Sequence, residues 1–312
     1  MTVSTFLDVE KKKSIRDVIA ENIKFRKPTF VVGCHNALSA FLAQEAGAEM
    51  LWFSGYEYSA TMRLPDANIL TMNECLNVAR TMTDRVSVPF LADCDNGFGN
   101  AINAIRTAIE YHRAGFSGIC IEDNTFPKRC SFYESKERHL EDVSTFTGKI
   151  KAIKDVINNR QHDDSFFLVA RTEQFIVDKN EVSGALERIL AYEDAGADGV
   201  LVHWKETDNV ENLFKVAEQF VKCRKNLNTR LFCVPTTYNQ YSYKDLYGAG
   251  FDAIILANYG IRSCVKAMKD TFGKILSGKS LSEGNDNVVP MKEIFRIVST
   301  DDLRENEERY VK

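Results

Sequence analysis

Val88-Pro89-Phe90-Leu91-Ala92-Asp93-Cys94-Asp95-Asn96-Gly97-Phe98-Gly99-Asn100-Ala101 holds one complete structural unit. An apolar run ends in two carboxylates one residue apart, two glycines follow, and an amphipathic helical pattern opens at Ala101. Alternation along a strand puts Asp93 and Asp95 on the same side. Two like charges that close are costly unless a cation or a shared proton lies between them. Mg²⁺ suits such a place, because it takes oxygen ligands and keeps several waters. Taken alone, the same residues also read as a solvated Asp-x-Asp turn, since turns favour Asp, Asn and Gly.

The unit recurs along the chain. Apolar runs at 29–34, 50–53, 90–93, 118–122, 166–171, 199–203, 231–235 and 253–257 alternate with helix-like segments at 37–46, 73–85, 101–114, 142–159, 182–195, 210–222, 243–247 and 261–276. The runs are rich in β-branched, aromatic and leucine residues, which reads as strands buried on both faces. Glu45-Ala46-Gly47, Arg113-Ala114-Gly115, Asp194-Ala195-Gly196 and Gly248-Ala249-Gly250 each precede a strand. Glycine at that place supplies a left-handed helix cap. Eight βα units without a linker predict an α/β protein of one domain over 1–312, a closed TIM-type (β/α)8 barrel. A helical N-terminal segment (about 10–27) and a C-terminal helical tail (about 279–312) flank it. A doubly wound open sheet is the alternative. It wants a glycine-rich phosphate turn after the first strand, and Val32-Gly33-Cys34-His35-Asn36 lacks the second and third glycines.

The composition narrows the function. A formal charge of −4 gives no basic footprint for nucleic acid. No apolar run approaches the ~20 residues that span a bilayer, and residues 1–13 lack the apolar core of a signal peptide. The eight cysteines form no CxxC pair, and Cys34, Cys120 and Cys233 fall inside apolar runs, as buried free thiols do. The expectation is a reduced, cytoplasmic protein with neither a disulfide framework nor a zinc site.

Active sites of such barrels lie at the C-terminal ends of the strands. Here acids gather after the third and fourth runs (Asp93, Asp95, Glu122, Asp123), whereas Arg171 and His203 follow the fifth and sixth. That asymmetry predicts a metal on one side and an anionic part of the substrate on the other.

Ser54-Gly55, Leu64-Pro65-Asp66, Asp93-x-Asp95-x-Gly97-x-Gly99-Asn100, Glu122-Asp123, Pro127-Lys128-Arg129-Cys130-Ser131, Ala170-Arg171 and Val234-Pro235-Thr236 together resemble the isocitrate lyase and phosphoenolpyruvate mutase superfamily. His203, Val234-Pro235-Thr236 and Met291-Lys292-Glu293-Ile294-Phe295 look like its branch of phosphoenolpyruvate mutases and phosphonopyruvate hydrolases, and Pro65-Asp66-Ala67-Asn68-Ile69-Leu70 looks closest to the hydrolases.

The resemblance implies a Mg²⁺ enzyme, with Mn²⁺ a possible substitute, acting on a 2-oxoacid phosphonate. Asp93 would touch the metal directly, and Asp66, Asp95 and Glu122 would hold its waters. The substrate carboxylate would lie on Ser54 and the N–H groups of Gly55 and Tyr56. Arg171, His203 and Ser131 would bind the departing anionic group. It also implies a homodimer or homotetramer that exchanges its last helix, here the tail at 290–310.

The polar stretch 124–137 is expected to be a gate that closes over substrate, with Lys128 as its cation. It is also where the chain departs from its relatives. Mutases of this superfamily read Glu-Asp-Lys, five residues, then Asn-Ser; this chain reads Glu122-Asp123-Asn124, five residues, then Cys130-Ser131. Hydrolases carry threonine at the place of Cys130. The superfamily's carbon–carbon lyases carry an acidic cysteine in Lys-Arg-Cys-Gly-His, of which Lys128-Arg129-Cys130 remains without Gly-His. Cys130 is thus either a proton donor or a small, weak hydrogen-bonder. The expected reaction is hydrolysis of 3-phosphonopyruvate to pyruvate and phosphate. Mutase chemistry, carbon–carbon cleavage of a substituted malate and a non-catalytic barrel are the alternatives.

Overall fold

The computed structural model describes residues 12–133, 138–158, 165–207, 209–278 and 280–311. Eight parallel strands close into a barrel in sequence order: β1 (Thr29–Cys34), β2 (Met50–Phe53), β3 (Phe90–Asp93), β4 (Gly118–Glu122), β5 (Phe167–Thr172), β6 (Gly199–Val202), β7 (Arg230–Cys233) and β8 (Ala253–Leu256). β8 pairs back onto β1 through Val31 and Ile255. The first four strands match the expected runs. β6 stops at Val202, which leaves His203 as the first loop residue, and β7 ends before Val234-Pro235-Thr236.

Each strand alternates between two apolar surroundings. Val31, Met50, Trp52, Leu91, Cys120, Val169, Leu201, Phe232 and Ile255 form the barrel interior. Their neighbours Leu51, Phe90, Ile119, Leu168, Val200, Leu231 and Ile254 pack against the surrounding helices. This two-sided burial is why the strands read as continuous apolar runs. The period of two then carries the interior parity to the barrel mouth. Trp52, Leu91, Cys120, Val169 and Leu201 are followed two residues on by Ser54, Asp93, Glu122, Arg171 and His203.

Helices α1 (Ile15–Lys24), α2 (Ala37–Glu45), α3 (Gly55–Thr61), α4 (Met72–Thr83), α5 (Ala101–Arg113), α6 (Val143–Val156), α7 (Gln174–Val177), α8 (Val182–Asp194), α9 (Glu211–Cys223) and α10 (Tyr243–Gly248) accompany the strands. In α5, Asn100 Oδ1 accepts the N–H groups of Ile102 and Asn103, and Ala104, Thr107, Ala108 and Tyr111 form the buried stripe. In α9, Leu213, Val216 and Phe220 are buried, contributing about 1.5–3 kcal/mol each. Gly47, Gly115, Gly196 and Gly250, just past helix ends, have φ of 95°, 81°, 99° and 109°, the left-handed cap expected there. Helices α3 and α7 were not expected from the sequence, because 7 and 4 residues are too few to display an apolar period.

The N-terminal helix occupies the middle of the expected 10–27 segment, whose residues 10 and 11 lie outside the described residues. Its Ile15 and Ile19 join the interior core, and the Arg16 guanidinium lies 5.3 Å from the ring centroid of Phe167 at the start of β5. α1 thus covers the N-terminal end of the barrel. Residue 159 of the expected helix-like segment at 142–159 also lies outside the described residues.

Contacts divide the chain into two compact units. One is Lys11–Gly260, which holds the barrel; the other contains Ile261–Lys312. The second carries most of α11 (Tyr259–Ser277), a 3₁₀ turn (Leu281–Asn287), α12 (Met291–Ile297) and α13 (Thr300–Tyr310), with a break at Ser299 where φ is 53°. The expected tail is therefore helical. Val265, Met268, Phe272 and Leu276 form an exposed apolar stripe along α11. Among the described residues no helix is long and apolar enough to cross a membrane. All eight cysteines are free, and six of them, Cys34, Cys120 and Cys233 included, are buried.

Candidate active site

Ser54, Tyr56, Asp66, Asp93, Glu122, Lys128, Cys130, Ser131, Arg171 and His203 line one cavity at the C-terminal mouth of the barrel. The remaining expected residues, Gly55 and Asp95, adjoin it. A Cβ on Gly55 would lie 3.6 Å from Asp93 Oδ2 and 3.7 Å from Asp95 Oδ1. The start of α3 is thus set directly against the acid pair, with Ser54 as its N-cap.

Asp93 and Asp95 meet for a different reason than strand alternation. β3 ends at Asp93, and Asp95 has a left-handed φ of 49°. A turn brings the two together, with the Asp95 N–H donating to Asp93 Oδ1 at 3.3 Å. Burial pushes the Asp93 carboxyl up to about 7, opposed by Lys128 and reinforced by Asp95. Burial likewise pushes Asp95 up to about 6 against the pull of Lys128.

The gate is held at its stem and at its tip. Thr125 N–H donates to the His139 carbonyl and Glu141 N–H to the Asp123 carbonyl, and Asn124 bridges Leu140, so the stem is a short antiparallel ladder. At the tip, Lys128 Nζ lies 2.7 Å from Asp66 Oδ1 and 2.8 Å from Asp95 Oδ1. Cys130 N–H donates to the Asp66 carbonyl, while Asp66 N–H donates to Tyr133 Oη. Burial opposes the Lys128 charge, but Asp95 and Asp66 outweigh it and raise its pKa well above the ordinary value. Burial, then Asp66, pushes the Cys130 thiol up to about 11. Residues 134–137 of the expected gate lie outside the described residues.

Beyond Glu122 lie Arg171 and His203, with Glu173 buried against both. Arg171 Nε lies 2.5 Å from Glu173 Oε1 and 3.3 Å from Glu122 Oε2, and Nη2 donates to Ser131 Oγ at 3.1 Å. Nη1 makes no hydrogen bond among the described residues. His203 Nδ1 is 2.7 Å from both Arg171 Nη2 and Glu173 Oε1. A ring nitrogen serves one of these at a time: protonated, Nδ1 donates to Glu173, and bare, it accepts from the guanidinium. Burial and Arg171 together lower the His203 pKa, which favours the neutral ring. Burial opposes ionisation of Glu173, but Arg171, joined by hydrogen bonds from His203 and Ser131, outweighs it and holds that carboxyl well below the usual range.

The acids fit a divalent cation. Asp66, Asp93, Asp95 and Glu122 converge against two cations, Lys128 and Arg171, and Asp93 receives no side-chain hydrogen bond among the described residues. Among the described residues no three His, Cys, Asp or Glu side chains cluster tightly enough to hold an ion directly. Carboxylate oxygens of this kind suit a hydrated hard ion, which takes oxygen ligands and keeps several waters.

A match to the phosphoenolpyruvate phosphomutase family spans residues 21–276. The chain is 34% identical over 308 residues to the phosphoenolpyruvate phosphomutase of Tetrahymena pyriformis, covering 99% of this chain and 98% of the relative. The chain belongs to the phosphoenolpyruvate phosphomutase family. Among solved structures, the phosphoenolpyruvate phosphomutase of Streptomyces platensis subsp. rosaceus superposes with a TM-score of 0.87 at 36% identity, over 95% of this chain and 99% of that one. A phosphonopyruvate hydrolase in complex with oxalate and Mg²⁺ superposes with a TM-score of 0.84 at 32% identity, over 96% and 100%. This member of the phosphomutase family is an enzyme of the phosphoenolpyruvate phosphomutase or phosphonopyruvate hydrolase type.

Three side chains of this phosphomutase-family site went unassigned in the sequence. Glu173 binds Arg171, His203 and Ser131 together. Asn124 Nδ2 donates to Glu122 Oε1 at 2.8 Å. Asn68 joins Asp95 to the gate. Glu173 stands two residues beyond Arg171, and that spacing was the available signal; a loop asparagine such as Asn68 gives none.

Proposed function

We propose that this enzyme hydrolyses the carbon–phosphorus bond of 3-phosphonopyruvate to pyruvate and phosphate. The observation that carries the reading is the divided cavity. Asp66, Asp93 and Glu122 line it, with Asp95 adjoining, and Arg171 and His203 line it beyond Glu122, which lies 3.3 Å from Arg171. Such a cavity accepts a molecule with a metal-chelating 2-oxoacid at one end and a tetrahedral dianion at the other.

Asp93, directly, and Asp66, Asp95 and Glu122, through water, would hold Mg²⁺ or Mn²⁺, which would supply Lewis acidity toward negative charge developing on the 2-oxoacid. Oxalate, present with Mg²⁺ in the solved hydrolase, has the planarity and charge of such a group, which supports the placement. Ser54 and the N–H groups of Gly55 and Tyr56 hold the substrate carboxylate, at a helix start that adjoins Asp93. Arg171 Nη1, His203 Nε2 and Ser131 hold the phosphonate. The carbon–phosphorus bond breaks, its electron pair passes to C3 and the carbonyl oxygen, water takes the phosphoryl group, and C3 gains a proton. The gate, latched by Lys128, limits entry of further water.

Cys130 favours hydrolysis over the other outcomes. A mutase must hold a metaphosphate-like species, with charge spread over its oxygens, until it recombines. A neutral thiol is a weak donor for that task. With its thiol pushed up to about 11, Cys130 is also a poor acid for a carbon–carbon lyase. Mutase chemistry stays as the second reading, because the solved mutase superposes at 0.87 and the hydrolase at 0.84. A lactate dehydrogenase assay separates the two: hydrolysis consumes NADH in step with phosphonopyruvate, and the mutase reaction leaves NADH untouched.

The enzyme is further proposed to act as a homodimer or homotetramer. A second copy would cover the exposed stripe of Val265, Met268, Phe272 and Leu276.

A further inference from the structure

Asn68 occupies the loop between α3 and α4 with a left-handed φ of 53°, and its partner Asp95 has a φ of 49°. Asn and Asp tolerate that region better than other side chains, yet it persists only where the surroundings fix it. The Asn68 carboxamide is used at both ends. Nδ2–H donates to Asp95 Oδ2 at 2.9 Å, and Oδ1 accepts the backbone N–H of Lys128 at 2.5 Å. The amide orientation is forced, because a carboxylate only accepts and a backbone N–H only donates.

We infer that Asn68 is a positioning residue that couples occupancy of the metal site to closure of the gate. The inference rests on the reading of Asp95 as a group that holds the metal's water. Asp95, fixed by that water, fixes the Asn68 amide, and the amide presents the acceptor that pins the gate backbone at Lys128. This link is separate from the Lys128 ammonium, which reaches Asp66 and Asp95 through its own side chain. It also accounts for an Asn at this position. Gly would accept the φ but carry neither arm, and Asp would keep the acceptor while setting a second carboxylate against Asp95.

Trypsin reads the gate through Lys128, which is buried, so cleavage after Lys128, told from cleavage after the exposed Arg129 by mass spectrometry, samples the opened gate. The test compares wild type, Asn68→Gly and Asn68→Asp in the full-length protein, with and without Mg²⁺. Mn²⁺ affinity is measured by electron paramagnetic resonance and folding by thermal denaturation. In the wild type, Mg²⁺ is expected to slow cleavage at Lys128–Arg129 by about tenfold, roughly the worth of one well-placed hydrogen bond. In Asn68→Gly the cleavage rate is expected to be faster and its Mg²⁺ response sharply reduced, while Mn²⁺ still binds and the melting transition stays cooperative. Asn68→Asp, which keeps the acceptor, is expected to hold the metal-free rate near wild type and to lose the Mg²⁺ response. If Asn68→Gly keeps the wild-type ratio of rates, the coupling is wrong. If the wild type itself binds no Mn²⁺, the metal-site reading fails and takes the coupling with it.

Discussion

Lys128 Nζ lies 2.7 Å from Asp66 Oδ1, so the gate carries its own cation into the acid wall. Both side chains are more than nine-tenths buried, and the same ammonium reaches Asp95. Breaking such a group from one side leaves uncompensated charge and costs about 3–5 kcal/mol. Lys128→Met is therefore expected to lower the melting temperature of the metal-free enzyme by several degrees and to recover part of the loss in saturating Mg²⁺, with a larger Mg²⁺ shift than wild type. The Lys128 pKa is raised above 10.5 in the folded state, so its contribution is fully present below pH 10.5 and fades only as pH climbs further. Equal Mg²⁺ shifts in the two proteins would disconnect Lys128 from the metal site.

The metal assignment separates Asp93 from its neighbours. Asp93→Ala is expected to abolish turnover with the fold retained by circular dichroism. Asp95→Ala and Glu122→Ala should weaken Mn²⁺ binding by about 10–100-fold, since each acts through water. Isothermal titration with Mn²⁺ gives all three values, and near-normal activity of Asp93→Ala without added metal would refute the assignment.

Arg171 is tied to Glu173, Glu122 and Ser131 through Nε and Nη2, which leaves Nη1 for substrate. A lysine cannot keep those links and present a further donor. Arg171→Lys should therefore lose about 10²–10³-fold in kcat/KM. Unchanged kinetics would make Arg171 a structural partner of Glu173 only.

How much of this was legible in the sequence follows from the geometry of a barrel strand. Asp93, Glu122, Arg171 and His203 share the interior parity of Leu91, Cys120, Val169 and Leu201, so a period-two count and a strand end sufficed to find them. Asp95 was found for an incomplete reason, because a left-handed turn and not the pleat places it. α3 and α7 were missed because helices of one or two turns carry little periodic signal. Asn68 and Asn124 gain their roles from partners elsewhere in the chain or from a loop conformation, which no local pattern encodes.

Cys130 carries the choice among outcomes. Its thiol is pushed up to about 11, so at pH 7.5 iodoacetamide should label the exposed Cys223 well before Cys130, with Cys130 labelling rising as pH approaches 11. Cys130→Thr is expected to retain hydrolysis, Cys130→Ser to be mildly affected, and Cys130→Asn to shift the products toward phosphoenolpyruvate. Complete loss of activity in Cys130→Ser, with metal binding and folding intact, would make the thiol a catalytic acid.

Hydrolysis of a carbon–phosphorus bond is read by phosphorus NMR without a coupling enzyme. Purified protein with Mg²⁺ and 3-phosphonopyruvate should convert the phosphonate resonance into that of inorganic phosphate, and chelation of the metal should stop the conversion. A phosphoenolpyruvate resonance in its place, or a phosphonate signal unchanged at full metal occupancy, would contradict the account.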